Sequence, residues 1–254
     1  MIVREGENEF ILIEQHHHAQ ISGDIICQWK DSLFEGAAYR KSVEYAASMH
    51  DCGWVPFDKA PLWNDQKQKP YTFIDFPMPL KTFLYQYGID EVEKQDPYAA
   101  LLCSRHYEGF LEHETDEESR GFVTAERERQ ERLKRSIDVQ EAAVLDFHYA
   151  LLQLGDNLSL YVCLNKPGAK KEEEHPFFRD GLPVSAFELF PKKHISIYWK
   201  DSTTVIMDHF PFTTPIHITL KQKAVSKAAV ATKGLLQSYK ETPIQEVDLK
   251  ISAM

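Results

Sequence analysis

Apolar residues recur at helical spacing through most of residues 1–165, and this pattern predicts a mainly α-helical fold. A short strand is predicted before the first helix, at 9–14, where an apolar run is bounded by acidic residues. The predicted helices cover about 15–31, 38–51, 80–94, 97–113, 116–136 and 138–164.

The pattern changes after residue 164, where a charged loop leads into segments of alternating apolar and polar residues. Strands are predicted there at 184–190, 195–199, 203–207, 216–220 and 246–251. We therefore expect a helical core at 1–165 and, at 166–254, a β-rich extension. The extension should be a small antiparallel sheet that packs on the core, so that both form one structural unit.

The composition is that of a single enzyme-sized unit, because 254 residues with 43% hydrophobic content can bury a full core. No segment approaches the roughly 18 consecutive apolar residues of a membrane-spanning helix. The N-terminal sequence also lacks the basic and then apolar order of a secretion signal, so we expect a cytoplasmic protein without membrane contact. The four cysteines form no Cys-x-x-Cys pair and are expected to be reduced core thiols.

The charge balance limits the partners that we expect. The chain has 29 basic and 39 acidic residues, which gives a net charge of −10 with neutral histidines. Duplex DNA and long RNA are therefore not expected as partners, because they bind dense cationic surfaces. A small anionic molecule is compatible with this charge, since a divalent metal and a few cations such as Arg105 can offset a phosphate locally.

Polar side chains that can bind metals interrupt the apolar stripes of three predicted helices. His18 shares its face with Ile21, and His106 shares its face with Leu102. Asp156 has leucine, tyrosine and cysteine neighbours at helical spacing, so its carboxylate is expected in the core. A buried ionised carboxylate costs several kcal/mol unless a cation or good hydrogen bonds neutralise it. A single metal ion could satisfy all three side chains.

A fourth predicted helix, at 38–51, ends in the doublet His50-Asp51. Gly53 is expected to end this helix in the left-handed conformation, which places the doublet in the last turn. Both side chains can turn there toward one point beyond the helix, where the negative end of the helix dipole favours a cation.

Each of these residues also has a purely structural interpretation. A single histidine on an apolar face is more often a hydrogen-bonded core residue than a metal ligand. Asp156 could cap a helix or pair with a buried amide, and His50 could donate to a backbone carbonyl. The occurrence of such residues on four helices together favours one shared metal site over four separate structural roles.

The order His18, His50-Asp51 and Asp156 resembles the HD superfamily of metal-dependent phosphohydrolases, whose helical core is ligated by a His, a His-Asp doublet and a later Asp. The chain also resembles an uncharacterised bacterial family with an HD-domain/PDEase-like fold over most of residues 10–215. The strings that carry the second resemblance are His18-Ala-Gln-Ile-Ser-Gly23, His50-Asp-Cys-Gly-Trp54 followed by Asp58 and Pro61, Ser104-Arg-His106, and Asp156-Asn-Leu-Ser-Leu-Tyr-Val-Cys163.

The resemblance implies a helical, metal-binding core of the HD-domain/PDEase-like type. The ligands that it implies are His18, His50, Asp51 and Asp156. His106 matches the additional histidine of dinuclear superfamily members, and His113 is a weaker candidate for a further ligand. One or two ions are therefore expected. Mixed imidazole and carboxylate ligation suits a divalent transition metal, that is Fe, Mn, Ni, Co or Zn.

The predicted function is metal-dependent hydrolysis of a small phosphoester or nucleotide-like substrate through a metal-activated water. The predicted catalytic residues are Asp51, a candidate bridge between two ions, and His106, a ligand of the second ion. The substrate-binding candidates are Trp54, Asp58 and Arg105. Trp54 and Asp58 belong to an aromatic and proline-rich loop at 54–79, which is either a lid over the site or packing for the core.

Two other functional classes remain open. The first is a di-iron oxygenase, because relatives on the same scaffold use similar His and Asp ligands to activate oxygen. The second is a non-catalytic module that keeps the ligands for stability, sensing or binding of a small molecule.

Overall fold

The computed structural model describes residues 1–137, 142–184, 187, 190 and 193–254. Most of the chain before residue 165 is helical, as the sequence predicts. The helices of this part are α1 (Gln15–Cys27), α2 (Arg40–Met49), α3 (Val55–Lys59), α4 (Met78–Glu93), α5 (Pro97–Leu111), α6 (Glu117–Ile137) and α7 (Ala142–Leu164). The predicted start of the last helix, at 138, lies outside the described residues. Within the described ranges, no helix is both long and apolar enough to cross a membrane.

Helix α5 shows how local sequence sets a helix boundary. The Asp96 carboxylate accepts hydrogen bonds from the backbone N–H groups of Tyr98 and Ala99, at 2.9 and 3.0 Å. Pro97 follows at the first helical position, where its missing N–H removes no helical hydrogen bond. The helix then packs against α2 and α7, while α1 packs against the same two helices. These four helices surround one core.

The segment 54–79 is not a continuous loop, because it contains α3 and the short strands β3 (Trp63–Asn64) and β4 (Lys69–Pro70). Its aromatic residues pack around the ring of Phe76. The ring centroids of Trp54 and Phe57 both lie 5.1 Å from that of Phe76, in edge-to-face contacts. These contacts favour the packing interpretation of this segment.

The β-structure corrects the expected position and type of the sheet. The remaining strands are β1 (Ile2–Glu5), β2 (Glu9–Ile13), β5 (Leu182–Pro183), β6 (His194–Ile195), β7 (Ile197–Trp199), β8 (Thr204–Met207), β9 (Ile216–Ser226) and β10 (Gln245–Ala253). A 6-stranded sheet has the order β1-β2-β9-β10-β8-β7, so the N-terminal strands belong to it. The sheet is also mixed rather than antiparallel, because β10 and β8 run parallel.

Strand β9 explains why the prediction was incomplete. Its first half pairs with β10, as at Ile218↔Leu249, and its second half pairs with β2, as at Val225↔Phe10. The second half is largely polar, so the alternation pattern ends near the predicted boundary at 220. Backbone hydrogen bonds to a strand more than 200 residues away keep it extended. The short helices α8 (Lys227–Lys233) and α9 (Leu235–Glu241), which the pattern does not predict, connect β9 to β10.

The predicted strand at 184–190 is wrong for its described residues. Val184, Phe187 and Phe190 are buried but belong to no strand, while 185–186 and 188–189 lie outside the described residues. Phe187 stacks on Trp29 with a centroid distance of 5.6 Å. The apolar spacing of this segment therefore comes from side chains that cover the core and not from strand pairing.

The cysteines are free, and three of them occupy the predicted core positions. Cys27 is the exception, because it is exposed at the end of α1. The Cys52 thiol donates to the carbonyl oxygen of Gly88 at 3.4 Å, so its hydrogen is used within the core.

Candidate metal centre

Five buried side chains from four parts of the helical core converge on one point. They come from α1, from the turn after α2, from α5 and from α7, and they are His18, His50, Asp51, His106 and Asp156. In two groups of three, the donor atoms all lie within 4.8 Å of one another. The groups are His18, His50 and Asp51, and His50, His106 and Asp156. The structure thus brings together the five residues that were predicted as metal ligands, and the weaker candidate His113 is not among them.

The doublet owes its orientation to a close helix contact and not to a left-handed glycine. Asp51 follows α2 with φ −105° and ψ 19°, a bridge conformation outside the helical range. Gly53 does not adopt a positive φ, so its predicted left-handed role is wrong. A Cβ atom on Gly53 would instead lie 2.1 Å from the carbonyl oxygen of Leu84 in α4. The absence of a side chain lets α4 approach the turn that carries Asp51.

Contacts with backbone carbonyl oxygens indicate the tautomers of two of the histidines. His18 Nδ1 contacts the carbonyl oxygen of Gln15, and His50 Nδ1 lies 2.9 Å from the carbonyl oxygen of Ala47. A carbonyl only accepts hydrogen bonds, so each Nδ1 carries the proton and donates it. The Nε2 atoms are then free to bind a metal, which is the arrangement that metal-binding histidines usually have.

The free imidazole nitrogens face carboxylate oxygens. His18 Nε2 lies 3.0 Å from Asp156 Oδ1, and His50 Nε2 lies 3.5 Å from the same oxygen. His106 Nε2 lies 3.5 Å from Asp156 Oδ2. His50 Nε2 is fully buried and has no hydrogen-bond partner among the residues that the structure describes. Carboxylates buried this deeply are stabilised by a nearby positive charge, which protons on these Nε2 atoms or a metal ion between the donors would supply.

The shifted pKa values follow from burial and from this negative charge. Burial opposes a positive charge on His50, but Asp51 and Asp156 outweigh it and raise the pKa of His50 to about 9. Burial would raise the pKa of Asp156, but hydrogen bonding to His18 and His50 lowers it below its ordinary value. Burial lowers the pKa of His106 to about 4. The Asp156 carboxylate therefore favours its ionised form and attracts a positive charge, which a proton on a histidine or a metal ion can supply.

Two residues that the sequence did not indicate hold Asp51 in place. The Gln15 amide donates from Nε2 to Asp51 Oδ2 at 2.9 Å. The Tyr107 hydroxyl contacts Asp51 Oδ1 and the His50 carbonyl oxygen, the latter at 2.6 Å. Burial and the nearby Asp51 raise the pKa of Tyr107 well above its ordinary value, so the hydroxyl keeps its proton. Neither residue stands out by periodicity; their only sequence signal is proximity to His18 and His106.

The predicted substrate-binding residues lie around the cluster and not in it. Trp54 is buried against Phe76. The buried Asp58 carboxylate accepts from the backbone N–H groups that begin α1. Arg105 donates to Asp146 at 2.8 Å and lies over the ring of Tyr149 at 4.6 Å. Their roles in substrate binding stay predictions.

The remaining candidate histidines are separate from the five donors. The His113 side chain is 92% exposed and contacts Glu112, so it is not a further ligand. His16 and His17 are half-buried and are not among the clustered donors. His17 Nε2 accepts a hydrogen bond from the backbone N–H of Lys221 in β9. Of the three consecutive histidines, only His18 joins the cluster, as its helical spacing predicts.

Comparison with known proteins identifies the family of the chain but no individual related protein. A family model described as a protein of unknown function (DUF3891) matches residues 1–227. No curated protein and no solved structure matches the chain significantly. The matched range includes all five clustered side chains and both residues that hold Asp51.

Proposed function

The chain belongs to the DUF3891 family, and because that family is one of unknown function, we propose a function from the residues of the chain itself. The proposal is a metal-dependent hydrolase that acts on a small phosphoester or nucleotide-like substrate. The resemblance of its ligand order to the HD superfamily of metal-dependent phosphohydrolases supports this reaction class.

One observation carries the proposal, namely that the Nε2 nitrogens of three buried histidines lie within 3.5 Å of a buried carboxylate. His18 is the clearest case, because its Nδ1 proton points to a carbonyl while its Nε2 lies 3.0 Å from Asp156. A divalent transition metal fits this arrangement, since it would bind the nitrogens and neutralise the carboxylates together. The donor set suits Fe, Mn, Ni, Co or Zn and disfavours Mg or Ca alone.

The two donor groups are compatible with one or two ions. They share His50, whose single free nitrogen can bind only one ion. A second ion therefore depends on carboxylates that bridge, because a carboxylate has two oxygens and can serve both ions. Asp51 is the candidate bridge, and His106 is the candidate ligand of the second ion. These are the two residues to which we assign catalytic roles.

The exposure of the cluster indicates the side from which substrate can approach. The side chains of Asp156 and Asp51 are 9% and 6% exposed, whereas those of His18 and His50 are 1% exposed. Water and substrate therefore reach the carboxylate side of the cluster first. When bound, a divalent ion lowers the pKa of a coordinated water from about 15.7 toward about 7 and polarises a phosphoryl oxygen. The carboxylates and imidazoles of the cluster would hold and orient that ion.

The proposal is tested by metal content and turnover together. Purified protein is supplied separately with Fe²⁺, Mn²⁺, Ni²⁺, Co²⁺ or Zn²⁺ and assayed with 4-nitrophenyl phosphate, bis(4-nitrophenyl) phosphate and nucleoside monophosphates. We expect one or two ions per chain and hydrolysis that chelation and Asp51→Asn abolish. Metal-loaded protein that hydrolyses none of these substrates would contradict the proposal. An oxygen-dependent absorbance change in the reduced iron protein would then favour the oxygenase, and its absence the binding module.

Removal of the metal is expected to lower the thermal stability of the protein. A ligand present at about 100 times its Kd stabilises the folded state by about 2.7 kcal/mol. For a chain of this size, that corresponds to a fall in Tm of about 5–11 °C when a chelator is added. Scanning calorimetry with Mn²⁺, and with Mn²⁺ plus excess chelator, measures the shift. Equal Tm values at both conditions would show that no ion binds the folded state preferentially.

A further inference from the structure

Gln15 contacts two members of the candidate metal centre through two polar groups and contacts Asp58 through a third. It is the first residue of α1 and is 3% exposed. Its side-chain Nε2 donates to Asp51 Oδ2 at 2.9 Å, and its carbonyl oxygen accepts from His18 Nδ1. Its backbone N–H donates to Asp58 Oδ1 at 2.9 Å. Gln15 thus contacts a carboxylate and an imidazole of the cluster, and its backbone is held by Asp58.

The side-chain oxygen of Gln15 is buried and has no hydrogen-bond partner within the described part of the chain. A buried amide that lacks a partner destabilises the folded state, and an apolar side chain of similar size would avoid that cost. The reverse orientation of the amide would place Oε1 against Asp51 Oδ2, so that two acceptor oxygens would face each other without a donor. The side chain is therefore oriented by Asp51, and Oε1 lies beside the cluster with its acceptor capacity unused.

The chemistry of the amide suits a metal centre. An Arg or Lys at this position would also donate to Asp51, but its positive charge would compete with the metal ion for the carboxylate. Glutamine donates a hydrogen bond without adding charge, so it does not compete with the ion for Asp51.

We propose that Gln15 is a positioning residue of the metal centre. Its amide N–H orients Asp51, its backbone carbonyl selects the His18 tautomer, and its free Oε1 accepts a hydrogen bond from a water molecule or substrate hydroxyl that enters the cluster. The proposal rests on the metal binding proposed above, but it does not depend on which reaction the site catalyses.

The variant Gln15→Met tests this role, because methionine has a similar size and no amide. We expect the Kd for Co²⁺ to rise about 10- to 100-fold and the visible absorption spectrum of bound Co²⁺ to change, since Asp51 is no longer oriented. Gln130→Met is the matched control: Gln130 is also a buried glutamine, but it bonds to Ser104 and Glu108 in the interface of α5 and α6. The control should keep the wild-type Kd and spectrum.

A second variant covers the case in which Gln15→Met does not fold. Gln15→Asn keeps the amide but shortens the side chain by one methylene, so the amide no longer reaches Asp51. It should show the same loss of Co²⁺ affinity. A wild-type Kd and spectrum in either folded variant would overturn the positioning role.

The free oxygen is tested in a crystal structure of the Co²⁺-loaded protein. We expect a water or ligand oxygen at hydrogen-bond distance from Gln15 Oε1, and an Oε1 without such a neighbour would overturn this part of the proposal. The outcomes remain separable from the proposed function. Wild-type protein that binds Co²⁺ but hydrolyses no phosphoester would contradict the function, whereas the affinity and spectrum of the Gln15 variants would still decide the positioning role.

Discussion

Asp156→Asn is expected to weaken metal binding by about 30- to 150-fold. Structural zinc sites in zinc-finger peptides bind with roughly 10–16 kcal/mol, and the same total shared by five donors would be about 2–3 kcal/mol for each donor. Asp156 is the donor that contacts the other ligands most widely, because its carboxylate lies within 3.5 Å of the Nε2 atoms of His18, His50 and His106. Titration calorimetry with Mn²⁺ or Co²⁺ measures the change in Kd directly.

The control for this variant is Asp146→Asn on the same helix. The side chain of Asp146 is 66% exposed and pairs with Arg105. The substitution therefore removes one carboxylate from α7 without changing the cluster. Asparagine retains the size of aspartate, and circular dichroism checks that both variants keep the helical fold. Equal Kd values for the two variants would show that Asp156 is not a ligand.

Gly53→Ala is expected to destabilise the protein by about 3 kcal/mol or more, which lowers Tm by about 6–12 °C. The new Cβ would lie 2.1 Å from the Leu84 carbonyl oxygen and 3.1 Å from the Gly88 nitrogen. Both are backbone atoms of α4, so neither can rotate away as a side chain could. The turn that carries Asp51 must therefore separate from α4, and metal affinity should fall together with stability. Urea unfolding of metal-free protein and Co²⁺ titration measure the two effects.

Gly121→Ala makes the same chemical change with the opposite expected sign. A Cβ at Gly121 meets nothing within 4 Å, and the residue lies on the exposed side of α6. Alanine favours the helix over glycine by about 0.5–1 kcal/mol, so this variant should be slightly more stable than the wild type. A Gly53 variant that is as stable as the Gly121 variant would contradict the close contact between α4 and the turn.

The ligand cluster was accessible from the sequence because its members carry a local signal. His18, His106 and Asp156 each occupy an apolar stripe, and the geometry of the helix alone directs such residues to the core. The residues that hold Asp51 carry no such signal. Gln15 and Tyr107 reach it only because α1 and α5 pack beside the turn after α2, across 36 and 56 positions of the chain.

The sheet shows the same division between local and distant information. Strands β9 and β10 alternate and were predicted in part, whereas β2 was not recognised as a neighbour of β9 and β1 was not predicted. A helical face or an alternating strand depends only on residues a few positions apart. The backbone geometry of helices and strands therefore places the same pattern on one face wherever it occurs. The partner of a strand, the contact of Gly53 with α4 and the hydrogen bonds on Asp51 depend on which distant segments meet. Packing of the whole chain decides that, because no short stretch of residues contains both members of such a contact.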